Sequence, residues 1–414
     1  MTRQQKRREA REAAKRADRR EFLTAGLALH QAGRLSEAAE HYEHVLDREP
    51  RNAEALNLLG VIWHQRGDQQ RAIDLLNEAL RCRPDAVIYH VNLGSALAAA
   101  GNAGWAVRNF RRAVALGPAS AMAHRNLGSL VDGGAGRSAA ASFGRAASLD
   151  AKDAVARLGR AHALKRWDPP AAIASCRAAL AIDPSLAEAR FLLAALEGEA
   201  PTRPPAAYVR GLFDKYATEF DRHLIDKLGY ATPALLAEML RELLPPKRDM
   251  DILDLGCGTG LSGLALSAYE GRLTGIDLSP AMLAQARSRG IYAELIEGDI
   301  MEALAHQPPG RFDLAMASDV LNYFGDLAGV FAAVGRTLKH RGLFACSTEA
   351  SAAPGYTLHD GLRYAHHPDY VKEVAAAAGF GPLAQRPAIL RRQGAAEVAG
   401  ELFVFARQEA APGN

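Results

Sequence analysis

Gly26, Gly60, Gly94 and Gly128 stand 34 residues apart. Pro50, Pro84 and Pro118 keep that interval, and so do Ala38, Ala72 and Ala106. Four positions after those alanines come the large residues Tyr42, Leu76 and Phe110. A period of this length holds one pair of packed helices, which cannot bury its apolar face without a neighbour. Small residues let the paired helices approach, a large one fills the gap between repeats, and proline ends the second helix. The first half of the chain is therefore expected to stack such pairs into an all-α superhelix.

Period and residue types together resemble tetratricopeptide repeats. A fourth copy, "MAHRNLGSLVDGGAGRSAAASFGRAASLD", keeps Gly128 and Phe143 but is one residue short in its turn. A fifth keeps Ala172, Cys176, Ala179 and Pro184, with the glycine slipped to Gly159. "LAEARFLLAALEGEA" reads as a closing helix, and Pro-rich "EAPTRPPAA" as a linker. The expected division is a basic helix or tail over 1–20, repeats over 21–198, a linker over 199–207 and a second domain over 208–410. The resemblance implies a concave groove holding a protein or peptide partner. Asn92 and Asn126 share one repeat position and are similar to the amide ladder of peptide-gripping repeats, although Leu58 interrupts it. A merely polar groove-facing position accounts for them equally well.

Composition narrows the field. A hydrophobic fraction of 49% with 23% charged residues suits a soluble globular chain, and a net charge of +3 is too small to argue for nucleic acid. No apolar run is long enough to cross a membrane or to serve as an export signal. The cysteines Cys82, Cys176, Cys257 and Cys346 form no CxxC pair, so no metal site is expected and a reduced, cytoplasmic setting is.

In the second half, "DILDL", "RLTGID", "YAELIEG", "FDLAMAS" and "GLFACST" read as strands separated by helices, an α/β doubly wound Rossmann-like sheet. Its first strand runs into glycines at 256, 258 and 260, and the second ends on Asp277. A phosphate-cradling P-loop would need Lys-Ser or Lys-Thr after the glycines, and neither is present. "GTGLSG" does satisfy the dinucleotide pattern, with Asp277 near the expected offset, so a nicotinamide-dependent oxidoreductase stays in view. Asp254 weighs against it. A carboxylate before the loop is awkward beside a pyrophosphate and helpful beside a cation.

The frame Asp254-Leu255-Gly256-Cys257-Gly258-Thr259-Gly260 resembles motif I of class I S-adenosylmethionine-dependent methyltransferases. That resemblance implies S-adenosylmethionine as cofactor, with Asp254, Gly256, Cys257, Gly258 and Gly260 at its amino-acid end. It places Asp277 on the ribose, Leu278 and Met282 against the adenine, Asp299 and Ile300 at the adenine's amino edge, and Ser318 beside the methionine. "LFDKYATEFDRHLIDKLGYATPALL" and "GLRYAHHPDYV" look like predicted bacterial methyltransferases carrying tetratricopeptide repeats. The implied enzyme transfers a methyl group to an acceptor recruited by the repeats. The alternative is a repeat scaffold whose methyltransferase-like half is regulatory. His366, Tyr216 and Tyr323 are the catalytic candidates. Tyr208, Asp221, His223, Asp319, Asn322 and Arg363 are further polar groups that could face the methyl. No Asn-Pro-Pro-Tyr or Asp-Pro-Pro-Tyr follows the fourth strand, which disfavours nucleobase methylation.

Overall fold

The computed structural model describes residues 3–131, 136–199, 201–216, 229–245, 249–269, 271–359, 361–393 and 396–408, without the side chains of 3, 6–16, 215, 216, 393 and 396. The chain forms two compact units, Met1–Pro184 and Ser185–Asn414.

The first unit is built of helix pairs: Arg3–Gln31 with Leu35–Arg48, Ala53–Gln65 with Gln69–Cys82, Val87–Ala99 with Ala103–Leu116, Ala121–Leu130 with Gly136–Leu149, and Ala154–Leu164 with Pro169–Ile182. The basic segment is not a separate tail but continues into the first repeat helix, where Arg19 pairs with Glu49 at 2.9 Å. Asn52, Asp68, Ser120, Asp153 and Asp168 each accept a backbone N–H of the helix they precede, which satisfies one of its orphan donors.

The repeating glycines explain the pairing. A Cβ at Gly26 would lie 2.6 Å from the Tyr42 ring, at Gly60 2.8 Å from Leu76, and at Gly94 2.6 Å from the Phe110 ring. In these repeats the large residue seats on the glycine of its own pair and shares a buried cluster with the next pair, Tyr42 with Leu59 and Ile62, Leu76 with Leu93 and Phe110 with Ala123. Phe143 does both, because a Cβ at Gly128 would meet it at 3.0 Å and one at Gly159 at 2.5 Å. The slipped glycine of the fifth repeat thus serves the ring of the fourth. The shortened turn of the fourth repeat lies outside the described residues.

Both ladder asparagines are engaged within the stack. Asn92 donates its amide to Asn57 Oδ1 at 2.8 Å, and Asn126 donates to Ser95 Oγ at 3.4 Å. One turn before them, Ile88 and Met122 stand exposed at equivalent repeat positions, and Val155 follows in the next repeat.

The second unit carries a nine-stranded mixed sheet. Its parallel part is β1 (Met250–Leu255), β2 (Gly271–Asp277), β3 (Glu294–Glu297), β4 (Phe312–Ala317) and β5 (Leu338–Ala350), in the order β3-β2-β1-β4-β5. The strand order reverses between β1 and β4, and their carboxyl ends open the crevice where such sheets bind ligands. β6 (Tyr356–Leu358) and β7 (Tyr364–His366) pair antiparallel, and β7 also joins the end of β5. β8 (Phe380–Gln393) and β9 (Ala396–Arg407) form a long hairpin, with β9 running antiparallel to β5. The core is apolar on both faces of the parallel strands, as buried strands require.

The expected closing helix, Ala187–Leu196, belongs to this second unit, where the Phe191 ring lies 5.8 Å from Tyr208 and 6.3 Å from Tyr364. The Pro-rich stretch is likewise docked on the unit. Thr202 accepts Gly325 N at 2.8 Å, and Pro201 accepts the Tyr364 hydroxyl. Among the described residues no helix is long and apolar enough to cross a membrane, and no cluster of metal-ligating side chains occurs.

The glycine–ring contact sets up a test. Alanine is worth about 1 kcal/mol over glycine in a helix, whereas overpacking a core costs about 1–3 kcal/mol. Gly94→Ala should therefore lower the repeat unit's thermal midpoint, and adding Phe110→Leu should recover part of it. A midpoint that rises for Gly94→Ala alone would show that the contact does not limit the approach of the helices.

Candidate functional site

The glycine loop leaves β1 with Gly256, Gly258 and Gly260 at φ +63°, +54° and +95°. At Gly256 a side chain is excluded twice over, since a Cβ would also lie 2.3 Å from Val320. Cys257 N donates to Ile276 O at 3.0 Å, tying the loop to β2. Asp277 tightens that link. One of its carboxylate oxygens accepts Gly258 N and the other Ser279 N, each at 2.8 Å. Burial raises the Asp277 carboxyl above its ordinary pKa, against the lowering effect of those amides.

These elements wall a cavity together with Thr259, Leu278, Asp299, Ile300, Ser318, Val320 and Tyr323. Of the eleven expected cofactor positions, Gly256, Cys257, Gly258, Asp277, Leu278, Asp299, Ile300 and Ser318 are on its wall, and Asp254, Gly260 and Met282 stand behind it. Met282 is fully buried, its backbone N bound to Ser279 Oγ. Asp254 is fully buried too. Tyr292 donates to its Oδ2 at 2.6 Å, while Oδ1 has no hydrogen-bond partner. Burial pushes this carboxyl up to about 7, the Tyr292 hydroxyl opposing and the Asp277 charge assisting.

Asp299 caps the helix Ile300–Ala305 through Met301 N at 2.9 Å, and its other oxygen pairs with Arg203. The Arg203 guanidinium lies 5.0 Å from the Phe324 ring, so the Pro-rich stretch crosses the cavity mouth instead of hanging free. The helix Ala206–Tyr216 adds Val209 and Phe213 to the wall, and its Asp214 accepts the Ser279 hydroxyl at 2.5 Å.

At the far end the wall becomes polar: Tyr230, Ser318, Asp319, Tyr323, Arg363 and Arg391. Asp319 holds φ +55°, a left-handed conformation unusual for a non-glycine residue and characteristic of functional sites. Its carboxylate takes Arg391 at 2.8 and 3.0 Å and Asn322 at 2.9 Å. Behind it, Glu349 Oε1 accepts Arg391 at 2.5 Å and Asn322 at 3.1 Å. Burial raises both the Asp319 carboxyl and the Tyr323 phenol. At Glu349 burial is outweighed by the two arginines, and the carboxyl is held below its usual range.

His366, a catalytic candidate by sequence, is not on the wall and does not face the cavity. Its ring is fully buried, Nε2 contacts the Phe324 and Gly325 carbonyls at 2.8 and 3.1 Å, and Tyr370 stacks on it. Both partners only accept, so Nε2 donates, and burial drops the imidazole to about 4. It is a neutral bracket for the loop after β4. The side chain of Tyr216, together with Asp221 and His223, lies outside the described residues. Tyr208 packs on Phe191.

Sequence reasoning missed Arg203, Tyr230, Tyr292, Glu349 and Arg391. Only Arg203 had a local signal, a lone cation inside a Pro-rich stretch beside the loop it closes.

A family model described as a methyltransferase domain matches residues 252–342, and one described as a tetratricopeptide repeat matches 23–87. The chain carries a methyltransferase domain and tetratricopeptide repeats. It is 38% identical over 140 residues to malonyl-(acyl-carrier protein) O-methyltransferase of Acetivibrio thermocellus, covering 33% of this chain and 47% of that protein. It is 33% identical over 121 residues to human methyltransferase-like protein 27, covering 29% and 49%. The chain thus spans about half the length of these curated relatives. Among solved structures, 1,6-didemethyltoxoflavin-N1-methyltransferase of Burkholderia thailandensis superposes with TM-score 0.40 at 20% identity, over 51% of this chain and 93% of the other.

Asp254 gives this methyltransferase domain a pH signature. An unfolded carboxyl releases its proton near 3.8, whereas Asp254 in the fold keeps it to about 7. Between those values the native state holds the extra proton, so this residue's contribution declines as pH rises and levels off above about 7. The loss reaches about 4 kcal/mol, and Asp254→Asn should remove it. Urea unfolding across that pH range, with the two proteins giving parallel curves, would contradict the assignment.

Proposed function

We propose that the chain is an S-adenosylmethionine-dependent methyltransferase acting on a protein or carrier-bound acceptor recruited by the repeats. The carrying observation is the buried Asp254 carboxylate with one oxygen unpartnered behind the glycine loop. With its carboxyl pushed up to about 7, a cation close by draws this group into its anionic form, whereas a pyrophosphate holds it neutral. Gly256 and Gly258 present backbone without a side chain to the cavity, which supports close approach of a cofactor. The residues fit the cofactor on both counts.

When bound, that cofactor supplies a methyl carbon made electrophilic by a sulfonium. Asp277 would hold the ribose, since each of its oxygens keeps a lone pair beyond the backbone N–H it accepts. Leu278 and Ile300 present apolar surface for the adenine, and Ser318 offers a buried hydroxyl that has no hydrogen-bond partner. Val209, Phe213 and Tyr323 cover the cavity, with Phe213 edge-on to Tyr323 at 5.5 Å, and so exclude water. Positioning and exclusion are the protein's main contributions to a displacement of this kind. The polar end, Tyr230 to Arg391, is where the acceptor would be oriented.

Two observations support recruitment by the repeats: the exposed Ile88, Met122 and Val155 at matching repeat positions, and a relative named for a carrier-borne substrate. Two measurements test the reading. Asp277→Asn should weaken S-adenosylhomocysteine binding by tenfold or more in calorimetry while circular dichroism stays native; unchanged affinity rejects the ribose assignment. Ile88→Glu with Met122→Glu should reduce methyl transfer to macromolecular acceptors at least fivefold and leave cofactor affinity alone. Equal transfer would remove the repeats from substrate delivery.

A further inference from the structure

We infer that the methyl acceptor is a carboxylate, held by Arg363 and methylated on oxygen to give an ester. This rests on the methyltransferase reading above and adds the acceptor's chemistry to it.

The two arginines at the polar end are not equivalent. Arg391 is 4% exposed and spends its guanidinium on both Asp319 oxygens and on Glu349. Arg363 also lines the cavity, but its ion pair is a 3.7 Å contact with Glu349 Oε1, the oxygen that already accepts Arg391 and Asn322. Its guanidinium lies 5.5 Å from the centre of the Tyr323 ring, and the charges of Asp319 and Glu349 act on it from the same end of the cavity. A planar cation with a weak ion pair, set beside an aromatic ring and facing a cavity, matches a carboxylate presented as two parallel acceptors. Ser318 supplies a second donor on the same wall, its hydroxyl buried without a partner.

Proton chemistry points the same way. Among the described residues of the wall, Asp277 and Asp299 accept backbone N–H groups, Asp319 is tied to Arg391 and Asn322, and burial keeps the Tyr230 and Tyr323 phenols and the Cys257 thiol protonated. His366 is turned to backbone carbonyls. An acceptor that must surrender a proton finds poor help here, whereas a carboxylate is already an anionic nucleophile at neutral pH. The step balances without a base. A carboxylate oxygen lone pair forms the O–CH3 bond, the S–CH3 bond breaks with its electron pair passing to sulfur, and the sulfonium becomes a neutral thioether. The product ester is uncharged, so its ion pair with Arg363 disappears on methylation and release is favoured.

The test uses the full chain, tritiated-methyl S-adenosylmethionine and a cell extract divided by filtration into macromolecular and small-molecule portions. Mild alkali frees methanol from methyl esters and leaves ether, N-, S- and C-methyl groups intact. The expected result is transferred label that turns volatile in alkali, its portion telling a carrier- or protein-borne acid from a free one. Arg363→Gln should cut this transfer tenfold or more at fixed extract with S-adenosylhomocysteine affinity unchanged, and Arg363→Lys should keep a measurable part. Alkali-stable label, transfer indifferent to Arg363→Gln, or cofactor binding with no transfer each overturns the inference. Failure of the unaltered protein to bind S-adenosylhomocysteine overturns the methyltransferase reading instead.

Discussion

The bond that organises the second unit is the double grip of Asp277 on Gly258 and Ser279. One carboxylate at the end of β2 fixes the turn after β1 and the start of the helix Pro280–Ser288. Ser279 passes the connection to Asp214, so the helix over the cavity is anchored to the same point. Three successive hydrogen-bonded groups therefore set floor, side and cover relative to one another. Charge-assisted bonds of this type are about twice as strong as neutral ones, which suits a loop whose glycines supply no packing of their own.

A second organising feature is the buried ionic cluster below β5. Arg391 comes from β8, Glu349 from β5, Asp319 and Asn322 from the loop after β4, and Arg363 from the turn before β7. Clusters of this kind contribute little net stability, because desolvation offsets attraction, yet removing one member strands another. Their value is geometric. Five side chains from four parts of the chain agree on one arrangement, and the left-handed backbone of Asp319 is held in place by that agreement together with Ser347, which accepts Asp319 N at 2.8 Å.

Much of this was readable in the chain because local rules write it there. A glycine that must yield to a large residue four positions beyond an alanine recurs with the repeat, and glycines at positive φ mark the loop. Acids at strand ends are equally local, since a strand end is where the chain meets solvent or ligand. The ionic cluster was not legible, because its partners are separated by 72 and 42 residues and meet only through the β8–β9 hairpin. That hairpin, too, had no expectation attached to it. His366 was misjudged for a simpler reason. The carbonyls that its ring meets, Phe324 and Gly325, lie 42 and 41 residues away, and nothing near His366 in the chain announces them.

The doubly used ring of Phe143 reaches beyond local packing. Linear repeat arrays ordinarily behave as beads whose stabilities add, each able to open while its neighbours stay closed. Here one aromatic ring occupies the notches of two consecutive beads, Gly128 and Gly159, so loosening either exposes the same side chain. The fourth and fifth repeats thus share one side chain at the end of the unit, an interface through which the opening of either bears on the other.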